Sequence, residues 1–498
     1  MAIPKAGGQA RSGPTAGRAA GTAHTASKSG TGKAGSPGKA GKAGSPGKAG
    51  SAGGAARLDS LTGLRWWAAF GIFLSHVNVL LPIPGTRGLF GLGVAGVTFF
   101  FILSGFVLTW TFFERDTPGW FYARRFARVW PLLLLSVVFP LMFALTQQPV
   151  GDDPSHAHLL LVGLASILLV QAWVPGWILT GPSPVTWSLA CEAFFYALFP
   201  FLHKAIARRT LRQLAWIAVA MLAAGWLIRA GTWIAYPPKR DISPDDLNSS
   251  GWLLLGTYAP LARLNEFVLG IVCAIAVKRG VRLPVSVRGA FLALAAALAF
   301  LWAFRDAVWR SQVPYDAVNQ VCAPFFALLV FTVAVRDIDG RRSRLRSALQ
   351  VRLGRYSYAF YLFHFTIVLS VAKKVFPDRS VVSFFTDPVG PAAGHAGWAL
   401  LALTVATAMS VALYRWYEHP AEQRLRARLR PRLSYALPAG NPGFIPPLNA
   451  GSTPPAQHTG GTHRPPNTAS TEHTHSTHST QGAERTQGTQ RTERTERT

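Results

Sequence analysis

Between residues 61 and 416 the chain keeps returning to apolar runs of roughly twenty residues. That is the length an α-helix needs to cross a hydrocarbon core about 30 Å thick. A backbone in lipid must satisfy its own polar groups, and a helix does so within one segment. The expected fold is therefore an all-α polytopic membrane protein with about ten transmembrane helices. The runs lie near 61–82, 93–113, 130–146, 186–202, 214–234, 258–277, 286–304, 320–335, 355–375 and 397–416. Charged residues make up only 14% of the chain, against roughly a quarter in soluble domains.

The 50 Lys and Arg against 22 Asp and Glu leave a net charge of +28. In a soluble chain that excess would point to nucleic acid. Here the basic residues fall in short loops between apolar runs and in the two tails. The positive-inside rule accounts for that distribution, and nucleic acid is not an expected partner. Alternating the loops on this basis puts both termini in the cytoplasm of a multi-pass cell-membrane protein whose immediate environment is the lipid bilayer. Cys191, Cys273 and Cys322 lie in apolar runs with no CxxC spacing; they say nothing about disulfides and argue against a cysteine metal site, and no metal is expected.

Three parts follow from the composition. Residues 1–57 are Gly, Ala, Ser, Lys and Thr with no acidic residue, and contain the tandem nonapeptide KAGSPGKAG. Such a segment cannot bury a core and is expected to be disordered. Residues 58–430 form the transmembrane domain. Residues 431–498 are Pro-rich, then rich in Thr, His, Gln and Arg, and are expected to be a second disordered tail. Within the domain, 158–173 (HLLLVGLASILLVQAW) is apolar but marginal in length, with Pro and Gly beyond it. If it crossed, the basic loop at His203–Arg212 would fall outside. It is therefore expected to be re-entrant or interfacial, and to wall the site, because irregular backbone at membrane depth needs protein or a cavity around it.

Ionisable groups inside spanning helices are costly and mark function by default. Arg65 and His76 lie eleven residues apart on the first span. At 3.6 residues per turn they share one helix face, separated by roughly 16 Å along the axis. Arg65 alone could equally snorkel to the interface, and His76 could be a packing residue. Arg124, Arg125 and Arg128 precede the third span on the same cytoplasmic side, where guanidinium forks would suit a phosphate-bearing donor; lipid-headgroup pairing is the alternative. Glu192 on the fourth span needs a partner, and a buried histidine is a natural one, since a His/Glu pair can take a proton from a hydroxyl. Ser104, Tyr358 and His364 are further polar groups within the spans. Arg263 and Glu266, at i, i+3, could satisfy each other.

These residues sit in a set of short motifs. LDSLTGLRWWAAFGIFLSH (58–76) contains an arginine and a histidine with ten residues between them. TFFFILSGFVLT (98–109), the RxxR pair Arg125 and Arg128, TWSLACEAFFYALFP (186–200), RLNEFVLG (263–270), LGRYSYAFYLFHF (353–365) and YRWYEHPAEQR (414–424) follow in order. The set resembles the acyltransferase-3 family of integral membrane O-acyltransferases, over roughly 58–425, in the stand-alone form without an SGNH hydrolase-like domain. One departure is Ser60–Thr62, where the family often has Gly-Leu-Arg.

The resemblance implies transfer of an acyl group from a cytoplasmic donor, usually acyl-CoA, to a hydroxyl of an extracytoplasmic or membrane-presented acceptor, commonly a carbohydrate or glycoconjugate. Acyl-CoA would be a co-substrate, with no bound cofactor. By analogy, Arg65, Arg125 and Arg128 would hold the donor phosphates, His76 would be the general base, and Glu192 its orienting partner or a proton acceptor. Ser104, Trp187, Ser188, Tyr358 and His364 would line the site. The competing reading is a proton-coupled small-molecule transporter, which buried His, Arg and Glu also fit. It predicts two halves with matched broken helices, and 158–173 has no counterpart in the second half.

Overall fold

A computed structural model describes residues 57–112, 117–147, 149, 153–235, 251–303, 314–387 and 389–434. Residues 1–56 and 435–498, and the acidic loop residues Asp152, Asp241, Asp245 and Asp246, lie outside them; residues 431–434, expected in the second disordered tail, are helical instead, continuing the helix that begins at His419. The described residues form helices and turns, with no strand among them. In chain order these are α1 (Asp59–Leu80), α2 (Arg87–Gly91), α3 (Gly96–Thr111), α4 (Pro118–Leu145), α5 (His156–Ile167), α6 (Trp187–Ala207), α7 (Leu211–Ala235), α8 (Gly251–Tyr258), α9 (Pro260–Lys278), α10 (Val287–Ala303), α11 (Pro314–Ile338), α12 (Ala348–Val375), α13 (Ser383–Thr386), α14 (His395–Leu413) and α15 (His419–Ser434).

Eight of the ten expected runs form helices long and apolar enough to cross a membrane. The other two are helical as well. α10 has 17 residues. α1 has 22, but it carries Asp59, Arg65, His76 and Asn78. It tolerates them because protein surrounds it: Leu61, Ala69, Ile72, Phe73 and Val77 are all buried, and its main neighbour is α12. Its first turn has no cap of its own. Asp337, near the end of α11, supplies one, accepting from Ser60 N at 2.8 Å and Ser60 Oγ at 2.7 Å. The departure at Ser60 thus has a structural use, tying α1 to α11.

Helix contacts are close where glycine permits. A Cβ on Gly105 of α3 would stand 2.0 Å from Phe267 O of α9, and one on Gly270 of α9 would stand 2.0 Å from Ile102 O of α3. Small residues let backbones approach in this way when lipid offers no hydrophobic drive. α1 and α12 meet similarly, with Gly354 against Thr62 O, and Phe360 packs on Trp66 at 4.9 Å.

The segment expected to be re-entrant forms a helix too short to cross a bilayer core by itself. α5 has 12 residues, about 18 Å of helix against a core of about 30 Å. Leu169 then takes a left-handed φ of 59°, and short 3₁₀ turns at Gln171–Trp173, Pro175–Trp177 and Pro184–Thr186 lead into α6. Ser155 caps α5 by accepting from His158 N at 3.2 Å. The helix packs on α4, where Gly163 faces Leu141, and exposes Leu160, Leu161 and Leu164.

Candidate functional site

A cavity opens among α1, α3, α4, α6 and α12. Helical periodicity assembles its walls. Ser188, Glu192 and Tyr196 form an i, i+4, i+8 stripe on α6. Val97, Phe100, Phe101, Ser104, Val107 and Leu108 form one face of α3, and Ser357, Tyr358 and Tyr361 one face of α12. Arg65 comes from α1, and Arg125 and Arg128 from α4. Seven sequence-predicted residues therefore meet here: Arg65, Ser104, Arg125, Arg128, Ser188, Glu192 and Tyr358. No residue of 158–173 lines the cavity, contrary to expectation, because α5 packs on α4 beside it.

The guanidiniums differ in circumstance. Arg65 and Arg125 each bury Nε without a hydrogen-bond partner. Neither has an ion pair among the described residues, although Arg125 lies over the Phe121 ring at 6.0 Å. Arg128 is already engaged. It bonds to Glu418 and, at 3.1 Å, to Glu422, and it lies 5.1 Å over the Tyr358 ring. All three arginines expected at the donor line the cavity, but Arg128 does so in ion pairs with two carboxylates. Glu418 ends a π turn at Tyr414–Glu418, whose extra residue per turn re-aims the side chain, a feature frequent at functional sites.

Glu192 accepts a hydrogen bond from Tyr196 OH at 2.8 Å on Oε2. It also stands within electrostatic reach of Arg65, Arg125 and Arg128. The expected His76–Glu192 pair does not form. His76 Nδ1 is instead 2.9 Å from His364 Nε2, and its ring meets Phe365 edge-on at 5.0 Å. The reason is depth: α1 carries Arg65 into the cavity, while His76, three turns on, reaches the level of His364 on α12. Neither imidazole lines the cavity. The link between them and it is Tyr361. Its hydroxyl shares a hydrogen bond of 2.7 Å with Ser188 Oγ in the cavity wall, and its carbonyl faces His364 Nδ1 at 2.7 Å. Trp187 is not a lining residue either. It packs against Phe101 at 6.0 Å and Tyr258 at 4.8 Å.

Sequence reasoning missed Tyr196, Tyr361, Glu418 and Glu422. The signal for Tyr196 was its i+4 spacing from Glu192. Glu418 was the glutamate of a motif noted without a role. Arg263 and Glu266 do pair at 3.1 Å, both buried, with Thr98 Oγ1 bonded to Glu266 Oε1 at 3.1 Å.

Comparisons with known proteins follow the same outline. The acyltransferase-3 family model, described as an acyltransferase domain, matches residues 58–416. Over 337 residues the chain is 33% identical to the acyltransferase MdmB of Streptomyces mycarofaciens, covering 63% of this chain and 79% of that protein. The O-acetyltransferase OatA of Staphylococcus aureus is 24% identical over 341 residues, 63% of this chain and 51% of its own length. This chain thus spans about half of OatA. The exopolysaccharide production protein ExoZ of Rhizobium meliloti is 28% identical over 344 residues, 68% of this chain and 92% of that protein. No solved structure matches.

Proposed function

Because the chain belongs to the acyltransferase-3 family of multi-pass membrane acyltransferases, we propose that it is an O-acyltransferase that takes its acyl group from acyl-CoA on the cytoplasmic side and delivers it to a carbohydrate hydroxyl presented in or beyond the membrane. The observation that carries this reading is the pair of unpartnered guanidiniums, Arg65 and Arg125, in one cavity. A buried guanidinium N–H without an acceptor is costly, and a phosphate-bearing ligand supplies the missing acceptors in the geometry a guanidinium prefers. Both arginines stand near the helix ends that the loop charges assign to the cytosol, so the donor enters from there.

In the reaction, a hydroxyl oxygen of the acceptor forms a C–O bond to the thioester carbonyl and the C–S bond breaks. The proton passes from the hydroxyl to an enzyme base and then to the departing thiol. His76 is the proposed base. Glu192, held by Tyr196, faces the arginines and orients the donor end of the site. The names of OatA and ExoZ support an acetyl group and a polysaccharide acceptor as the first choices.

The test is acyl transfer by protein in lipid nanodiscs, from labelled acetyl-CoA to a panel of carbohydrate acceptors. Transfer by the parent, lost by about 10²-fold or more in His76→Ala, is expected. A His76→Ala variant as active as the parent would remove His76 from the chemistry. Flux of substrate into vesicles without any transfer would favour the transporter.

A further inference from the structure

The second histidine has a definite task that follows from counting lone pairs. The His364 ring is fully buried. It stacks on Phe360 at 5.7 Å, with Phe73 at 6.4 Å. Its Nδ1 faces two carbonyl oxygens of its own helix, Tyr361 O at 2.7 Å and Phe360 O at 3.2 Å. Carbonyl oxygens only accept, so Nδ1 carries a proton. In this apolar setting no carboxylate bonds to the ring, and a charge would be uncompensated, so the ring holds one proton and Nε2 keeps its lone pair. The atom 2.9 Å from that lone pair is His76 Nδ1. Two lone pairs cannot share a hydrogen bond, so His76 Nδ1 must be the donor.

We propose that His364 is a positioning residue that fixes the tautomer of His76, holding its proton on Nδ1 and leaving Nε2 bare as the proton acceptor. The inference rests on the acyl-transfer reading above for what Nε2 then does. Nε2 takes the proton of the acceptor hydroxyl while its oxygen bonds to the acyl carbon. The transient imidazolium keeps its Nδ1–H on His364, and the Nε2 proton leaves on the thiol. The arrangement follows the logic by which a third group orients a general base, with a backbone carbonyl, Tyr361 O, at the end of the chain. Tyr361 also bonds Ser188 in the cavity wall, so the same residue anchors the relay and touches the donor cavity.

The experiment is nitrogen NMR of the full chain in nanodiscs with ¹⁵N-labelled histidine, the His76 signals being assigned by their loss in His76→Ala. The parent is expected to show His76 protonated on Nδ1 and bare on Nε2. His364→Ala is expected to lose that single tautomer and to lower kcat by about 10²-fold with the donor KM unchanged. His364→Gln can place an amide oxygen where Nε2 stands. It is expected to keep the tautomer and recover about a tenth of the parent kcat or more. A parent that transfers acyl groups but carries the His76 proton on Nε2 overturns the positioning role alone. Equal losses in the Gln and Ala variants, with the His76 tautomer unchanged in both, overturn it too. A parent that transfers no acyl group overturns the reaction reading and the base role with it.

Discussion

Two arginines one turn apart on α4 live under different constraints. Arg125 is unpaired in the cavity, whereas Arg128 joins α4 to Glu418 and Glu422. Removing Arg128 strands the buried carboxylate of Glu418, while Glu422 keeps Arg426, and that loss is expected to cost about 3 kcal/mol. Removing Arg125 breaks no ion pair among the described residues and should leave stability near that of the parent. Thermal unfolding in detergent of Arg128→Ala and Arg125→Ala checks the contrast. The double variant Arg128→Ala/Glu418→Ala should lose less than the sum of its parts, because the two residues share one interaction. Equal melting temperatures for the two single variants would show that the Arg128 pair holds nothing together. At this scale the sequence was informative about residue types and poor about partners. An arginine and a histidine eleven apart were legible as one face of a helix. Which imidazole would meet His76 was not, because that depends on the depth at which α12 crosses α1. The carboxylates that pair with Arg128 were not legible either, because they lie about 290 positions along the chain.

Among the helices, α3 and α9 cross with glycine on both sides of the contact. Each of the two glycines there faces a carbonyl of the other helix, Gly105 that of Phe267 and Gly270 that of Ile102, and an added methyl has only backbone to push against. Gly270→Ala is expected to destabilise by about 1–3 kcal/mol, and to lower activity at temperatures where the parent is folded, since α3 carries a wall of the cavity. A Gly270→Ala protein with parental melting temperature and kcat would mean that the crossing relaxes at no cost. The elements themselves were legible from apolar length, and so was the short helix in 158–173, an apolar stretch of marginal length with Pro and Gly beyond it. Its role as a wall was misjudged. Sequence shows that a short segment must be covered, but not which neighbour covers it, and α5 turns out to lean on the outer side of α4.

For the whole molecule, the loop charges predict which ends of the helices share a compartment. Arg208, between α6 and α7, belongs to the cytoplasmic side, and Asp378, between α12 and α13, to the outside. A membrane-impermeant maleimide applied to intact cells should label Asp378→Cys at once and Arg208→Cys only after permeabilisation. The native background should be low, since Cys191 and Cys322 are buried and Cys273 is partly so. The reverse pattern would place the arginine end of the cavity outside and remove the cytoplasmic donor. The most direct measurement is the equilibrium dissociation constant of labelled acetyl-CoA for the nanodisc protein. Saturable binding by the parent, weakened about tenfold or more in Arg65→Ala and in Arg125→Ala separately and unchanged in Trp187→Phe, is the predicted result. Identical affinities across all four proteins would contradict a donor held by these two arginines.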